Sequence, residues 1–476
     1  MVSHVDFALW RCALALRFRE LKGSDALNGS EPTYCEAVMR YVGLDVHKRV
    51  VQAHICDERG NRLAAMRFDL SITALEEFAK KQLGTDCSVA LEASTNTWAV
   101  VDALRPHCAK VTVGNPLRTK AIAISKRKSD KVDAEALAQL LRCNYLPTVW
   151  IADAVTRQER TLASRRSALA HQMTWIKNRV HSVLHQRLIQ APFDPFTQRG
   201  RTWLEEIGLP EAVRLELATE LRILDALLAE QKQLQALVER SAYANQQVRL
   251  LMTLPGVGAS TAHAMMAAIG DVSRFDSADK LAAYFGLVPS VHQSAEHAYH
   301  GHITKQGNSN VRWLLVQSAQ HAGRCPGPIG YQFSRIAKRK GVQVAKVAIA
   351  RKLACIAWHM LRTGESYRYA MPASTEFKLA QLRRSQAVLL PKHKGNRGAS
   401  RGRLTRVRKS LASVLQQESL PAPSLPPLAE TKLLHDRGLD DFLKTINSTR
   451  RVRVTATGRA LPKTADVQRH ATLTTS

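Results

Sequence analysis

Residues 128–141 read KSDKVDAEALAQLL. Asp130 and Asp133 stand three apart, the spacing that puts both on one face of a helix. Two more acids occupy positions where an acid is costly. Asp45 interrupts the apolar run YVGLDV, and Glu92 ends the apolar run CSVALEA. Two carboxylates about 4 Å apart repel by about 4 kcal/mol at an effective dielectric of roughly 20. Four converging carboxylates therefore need divalent cations. Mg²⁺ takes oxygen ligands, and two ions roughly 3.5–4 Å apart can clamp the attacking and leaving oxygens of a phosphodiester. The expected site has Asp45, Glu92, Asp130 and Asp133 as catalytic metal ligands, holding two Mg²⁺ ions. Lys126, Arg127 and Lys128, just before the aspartate pair, would grip the polyanion whose bond is cut. Taken singly, each acid has a plainer reading. Asp130 after Ser129 suits a helix N-terminus, and Asp45 alone suits a strand end. Asp57, Glu58 and Asp102 read as solvated acids.

The acids need elements to carry them. YVGLDV (41–46) reads as a buried strand and VVQAHICD (50–57) as the next. DERGN (57–61) is a hairpin turn leading to a third strand, RLAAMRF (62–68). A helix is expected from Ile72 to Leu83, a strand over 87–93, a helix over 97–107 and a strand over 110–116. Three strands in a meander, then strands alternating with helices, is the order of an RNase H-like α/β fold.

From Arg157 the pattern turns all-α. Leu169, Met173, Ile176, Val180 and Val183 alternate three and four apart, like a coiled-coil seam. Pro192 and Pro195 break the run, and a second carries Leu217, Leu221, Leu224 and Leu228. Either an intramolecular hairpin or a pairing between subunits would bury these stripes. The first helix carries Arg165 and Arg166 among seven basic positions, which suggests phosphate contact. Further on, LPGVG (254–258) between helices reads as a helix-hairpin-helix turn. Gly256 and Gly258 would let backbone N–H groups approach a phosphate, although a plain helix–helix turn fits the same residues. A long amphipathic helix over 342–361 closes this region.

Lys and Arg number 69 against 40 Asp and Glu, a formal net charge of +29. Such an excess favours a polyanionic partner. No apolar stretch approaches roughly 20 uninterrupted residues, so no spanning helix and no membrane partner is expected. The eight cysteines are scattered without a C-x-x-C pair, which argues against a disulfide framework and fits a cytoplasmic protein. His292, His297, His300 and His302 match no common zinc spacing. The expected divisions are a poorly ordered extension or over-long gene start over 1–39 and a catalytic α/β domain over 40–156. A helical coiled-coil region over 157–245 and a helical domain over 246–365 follow. A basic, largely disordered tail fills 366–476, where PAPSLPPLAE (421–430) is of low complexity.

YVGLDVHK, VALEAS and KSDKVDAEAL resemble the three acidic blocks of the DEDD transposases of the insertion sequence 110 family. That family includes the 1111 subgroup and the pilin-gene-inverting recombinases. The stretch FGLVPSVHQSAEHAYHGHITKQGNSNVRWLL resembles the family's C-terminal transposase domain. The resemblance spans about residues 40–365. It implies a RuvC-like RNase H fold, the acidic tetrad named above, and a serine nucleophile past G-L-x-P, here Ser294. Ser290 and Ser309 are rivals by chemistry alone. Lys305 and Arg312 would grip phosphates. It further implies a site-specific DNA recombinase that excises and inserts its own element, guided by a noncoding RNA. Homo-oligomers, dimer or tetramer, would coordinate the cuts, with the leucine-rich stripe as candidate contact. Two other classes share parts of the pattern. A RuvC-type nuclease acting on branched DNA by hydrolysis needs the acids but no serine, and a non-catalytic nucleic-acid-binding protein needs only the charge.

Overall fold

The computed structural model describes residues 39–122, 129–294, 297–387, 405–447, 450–454 and 460–461. Nearly all of the expected N-terminal extension lies outside them, as do Lys126, Arg127 and Lys128. The chain divides into two compact units, Met1–Ile151 and Ala152–Ser476.

The first unit is a mixed α/β layer structure. Strands β1 (Arg40–Val46), β2 (Val50–Cys56) and β3 (Arg62–Asp69) form the meander. At its second turn Gly60 takes φ +89°, and Asp57 accepts hydrogen bonds from the N–H groups of Arg59 and Asn61. Helix α1 (Ile72–Gln82) starts where the Ser71 side chain accepts from the Ala74 N–H, and buries Leu75 and Phe78. Then come β4 (Cys87–Glu92), α2 (Thr97–Leu104), β5 (Lys110–Gly114), α3 (Pro116–Ile122), α4 (Asp130–Arg142) and a two-residue β6 (Thr148–Val149). The sheet order is β3-β2-β1-β4-β5-β6. β1 pairs antiparallel with β2 and parallel with β4, so β1 and β4 lie at the centre. Central strands covered on both faces must be apolar throughout, which is why these two read as near-continuous apolar runs.

Alternation then assigns the faces. Val42, Leu44, Val89 and Leu91 pack with Leu75, Phe78, Val100 and Leu104 under α1 and α2. Ala90 packs with Leu137 and Leu146 on the opposite face, under α4. Gly43 lies on this second face, so close to α4 that an added Cβ would collide with Ala134 O and press on Ala138 N.

In the second unit, α5 (Ala154–His185) and α7 (Glu211–Ala244) are the long helices, with α6 (Gln198–Glu206) between them. The Asp153 side chain caps α5 by accepting from Thr156 N–H. Helix α5 thus begins just before the boundary expected at 156. Its stripe is covered within the chain: Val180 and Val183 pack with Leu217, and Met173 and Ile176 with Leu224. This is the intramolecular-hairpin alternative of the two expected for these stripes.

Helices α8 (Gln246–Leu251) and α9 (Ala259–Ile269), α10 (Ala278–Tyr284), the hairpin β7 (Pro289–Ser294) and β8 (His297–Ile303), and helices α11 (Ser309–Ala322), α12 (Pro328–Lys340) and α13 (Val342–Thr363) follow. One correction concerns the tail. Helices α14 (Pro372–Ala387), α15 (Leu411–Gln417), α16 (Leu428–Asp436) and α17 (Asp440–Asn447) form beyond residue 366. Leu379, Leu382, Val414, Leu434 and Phe442 join one core with Leu254, Leu315 and Leu353. These apolar residues sit at helical spacing within a basic sequence, and their burial outweighs the surrounding charge. Strands β9 (Thr405–Lys409), β10 (Arg450–Val454) and β11 (Ala460–Leu461) form a separate small sheet, with β10 in the middle.

Candidate active site

Asp45 lies two residues past Gly43 on β1, and therefore on the face that α4 covers. Glu92 lies two residues past Ala90 on β4, on the same face by the same alternation. Leu44 pairs with Leu91 across the parallel ladder, so Asp45 and Glu92 are the next residues along on neighbouring strand ends. Asp130 and Asp133 occupy the first turn of α4, where the Ser129 side chain accepts from Val132 N–H. The positive end of the helix dipole favours acids there. The ends of two central strands and one helix start thus carry all four.

His47, two residues past Asp45, ties two of them together. Its Nε2 is 3.1 Å from Asp45 Oδ2 and 3.2 Å from Asp130 Oδ1. Asp45, His47 and Asp130 are the one group among the described residues whose ligand atoms gather closely enough for a metal ion. Glu92 and Asp133 lie outside that tight group. Burial pushes the Asp45 carboxyl above its ordinary range. His47 opposes the shift, while the charges of Asp133 and Asp130 add to it. Asp133 is thus near enough for its charge to act on Asp45.

Asp45 Oδ2 is buried and makes no hydrogen bond among the described residues. His47 Nε2, 3.1 Å away, leaves it short of partners. An orphaned carboxylate oxygen facing other carboxylates suits a divalent cation, so these residues fit the ions expected from the sequence. His47 was missed at the sequence level. It stands in YVGLDVHK, yet nothing along the chain says that its ring meets Asp130.

The second unit holds the remaining candidates. Gly256 takes φ +74° in the turn between α8 and α9, and a side chain there would strike Ser318 O on α11. Gly258 is the N-cap of α9, with open space around its Cα. Lys378 of α14 reaches under this turn, where Nζ donates to Leu254 O at 2.7 Å and Val257 O at 3.1 Å. The residue as a whole is half-buried, but its ammonium end is enclosed. Burial lowers its pKa to about 7, with a small opposing pull from Cys325.

Ser294 ends β7, its backbone in register with His297 of β8. Its side chain, like those of His292, His297 and His300, lies outside the described residues. Ser290 is half-buried beside Gly301, and Ser309 is exposed at the start of α11. Lys305 is exposed with φ +54°. Arg312 instead donates to Phe285 O, bracing the loop that precedes β7. Arg165 is exposed, whereas Arg166 donates to Gln235 of α7 at 2.8 Å. Part of the expected phosphate grip therefore holds helices and loops together.

A family model for transposases of the DEDD type matches residues 42–188, which include all four acids. The model described as "Transposase IS116/IS110/IS902 family" matches residues 248–335, from the LPGVG turn into α12. The chain belongs to this transposase family. Among curated relatives, a probable family 20 transposase of Pseudomonas aeruginosa is 29% identical over 347 residues, 69% of this chain and 98% of that protein. The IS1111A transposase of Coxiella burnetii is 27% identical over 262 residues, covering 52% and 70%. The pilin gene-inverting protein of Moraxella bovis is 27% identical over 277 residues, covering 57% and 76%. This transposase is accordingly an enzyme of DNA transposition and recombination, and DNA is its partner. No helix among its described residues is long and apolar enough to cross a membrane.

Proposed function

We propose that this transposase cuts and exchanges DNA strands by metal-assisted phosphodiester transesterification. The observation that carries this reading is the orphaned, buried Asp45 oxygen facing Asp130 at a central strand end. The sheet order, with a meander followed by parallel strands, supports a RuvC-like RNase H fold for the first unit. Asp45, Glu92, Asp130 and Asp133 would hold two Mg²⁺ ions. When bound, the ions would neutralise the carboxylates and polarise the scissile phosphate.

The chain's own groups do the rest. Asp45 is fixed by β1, and the aspartate pair by the capped start of α4, so the acids need little reorganisation on loading. His47 bridges Asp45 and Asp130, and so orients both carboxylates. Ser294 is the proposed nucleophile, on its match to the family's motif. Its Oγ–phosphorus bond forms as the phosphorus–oxygen bond to the sugar breaks. The serine proton passes to a base and the sugar oxygen takes up a proton. The phosphoserine link then conserves the ester for rejoining. Lys126, Arg127, Lys128, Arg165, Lys305 and the turn at Gly256 and Gly258 are proposed phosphate contacts, the turn as a helix-hairpin-helix. A noncoding guide RNA and a homo-oligomer belong to the same proposal, from the resemblance alone.

The test uses full-length protein, a DNA carrying the element ends, and Mg²⁺. Asp130→Asn should abolish cleavage while leaving DNA binding intact. Ser294→Ala should abolish covalent protein–DNA adducts. Cleavage that survives Ser294→Ala without adducts would overturn the serine step. Cleavage by Asp130→Asn at the wild-type rate would overturn the metal site.

A further inference from the structure

Lys352, Ile356, His359 and Thr363 recur four, three and four residues apart along α13, so they share one face of the helix. Glu430, Leu433 and Leu434 form a similar stripe on α16. The two stripes line a cleft of about 580 Å³, together with residues 365–369 and Ile329 of α12. Protein cores rarely leave voids larger than a water molecule, and clefts that take small guests measure roughly 300–1,000 Å³. Lys352, His359 and Leu433 are exposed, so this cleft opens to the surface.

Its walls are held in place. Arg368 donates to Glu430 at 2.6 Å and to Ser424 O at 2.9 Å, and the Ser424 N–H donates to Glu365 at 3.2 Å. A cleft tied open in this way loses little entropy when a guest enters. Its lining is mixed. Ile356, Met360, Leu433 and Leu434 are apolar, whereas Ser366 and Tyr369 each offer a hydroxyl. Ser366 is 3% exposed, and its Oγ has no hydrogen-bond partner among the described residues. A hydroxyl enclosed without a partner costs stability that a guest can restore. Burial, and after it the Glu430 carboxylate, pushes the Tyr369 hydroxyl up to about 12. At neutral pH it therefore keeps its proton.

The flanking helices are basic. Residues 328–364, which form α12 and α13, hold eight Lys or Arg and no Asp or Glu. Arg335, Lys338, Arg339 and Lys340 are all exposed. A surface of that sign gathers a polyanion.

We propose that the cleft receives one unpaired base of a DNA strand. The apolar walls take the flat ring, Ser366 and Tyr369 meet its polar edge, and Lys352 meets the strand's phosphates. An apolar side chain from a protein partner would fill the walls but leave the Ser366 hydroxyl unpaired. DNA is the partner of this transposase, and the charge of the flanking helices matches it. Neither family match extends past residue 335, so α13, residues 365–369 and α16 lie outside both. The proposal needs only DNA binding and stands whether or not the acids hold metal.

The test measures affinity of the full-length protein, in EDTA, for duplexes carrying one bulged nucleotide. The bulge holds each of the four bases in turn, or none. Strand cleavage plays no part in this readout. The best base should bind roughly tenfold tighter than the abasic bulge. Ser366→Ala should cut that ratio several-fold, and Ile356→Phe, which fills the cleft, should bring it to about one. The ratio cancels any general change in DNA binding. Lys352→Gln should instead lower the slope of log affinity against log salt by about 0.9 on every duplex. Equal affinity of wild type for all five bulges would overturn the proposal, as would a wild-type ratio in either Ser366→Ala or Ile356→Phe. A ratio seen with bulged RNA duplexes and not with DNA would also overturn it, and would give the cleft to an RNA base.

Discussion

At the scale of single residues, Asp45 shows site function opposing stability. Its carboxyl is pushed upward by burial and by Asp133 and Asp130. A carboxyl with a raised folded pKa contributes stability only while protonated, and loses it as pH rises through that value. Above that value the charged form therefore weakens the fold. Asp45→Asn should raise the melting temperature of the metal-free protein, measured in EDTA, while lowering strand cleavage at least about a hundredfold. Addition of Mg²⁺ should raise the melting temperature of wild type and not of the variant. A variant that melts lower than wild type would contradict this account of Asp45. Lys378 makes the opposite kind of statement. Its pKa falls from its ordinary value to about 7, so between roughly pH 7 and 10 the unfolded chain binds a proton that the folded one does not. Stability conferred at this site should rise with pH across that window and stay level below it. Lys378→Met should flatten this part of the profile in paired urea melts. Neither residue announces its setting in the sequence. Asp45 is legible as an acid in an apolar strand, but the partners of Lys378 lie more than a hundred residues away.

At the scale of elements, Gly43 decides where the acids meet. Its missing side chain lets α4 settle onto β1, and Ala134 and Ala138 supply the matching small residues on the helix. Gly43→Ala would push Cβ into helix backbone, which cannot swing aside. Destabilisation of roughly 1–3 kcal/mol is expected, with cleavage falling further than stability because Asp130 and Asp133 move with α4. Gly208→Ala, where nothing lies within 4 Å of the new carbon, is the control and should leave the urea midpoint nearly unchanged. The strands were legible for a physical reason. Burial on both faces made β1 and β4 near-continuously apolar up to their acidic ends, and the half-exposed β3 alternates. The α5 stripe was legible as a seam, but not its partner. A heptad pattern specifies a surface to be covered, and α7 of the same chain covers it. His47 was overlooked because the approach of a strand end to a helix start is a tertiary fact with no local signature.

At the scale of the whole molecule, the tail is where composition misleads most. Between 366 and 447 the chain is basic and interrupted by prolines, a profile that suggests disorder. Yet Leu379, Leu382, Val414, Leu415, Leu434 and Phe442 are each less than a tenth exposed and share one core with the transposase domain. Buried polar contacts reinforce the packing. Arg383 donates to Glu376 and Glu418 at once, and Glu376 is fully buried. Arg368 joins Glu430 at 2.6 Å and the Ser424 carbonyl at 2.9 Å. A chain stopped after residue 365 would expose the apolar surface that these residues cover and would lose Lys378 from beneath the LPGVG turn. It should melt well below the full-length protein, and trypsin should cut its 246–365 region many times faster. A chain stopped after 447, which loses β10 and β11 but keeps this packing, should retain the full-length melting temperature. Equal melting of all three would mean that the tail adds nothing to the core.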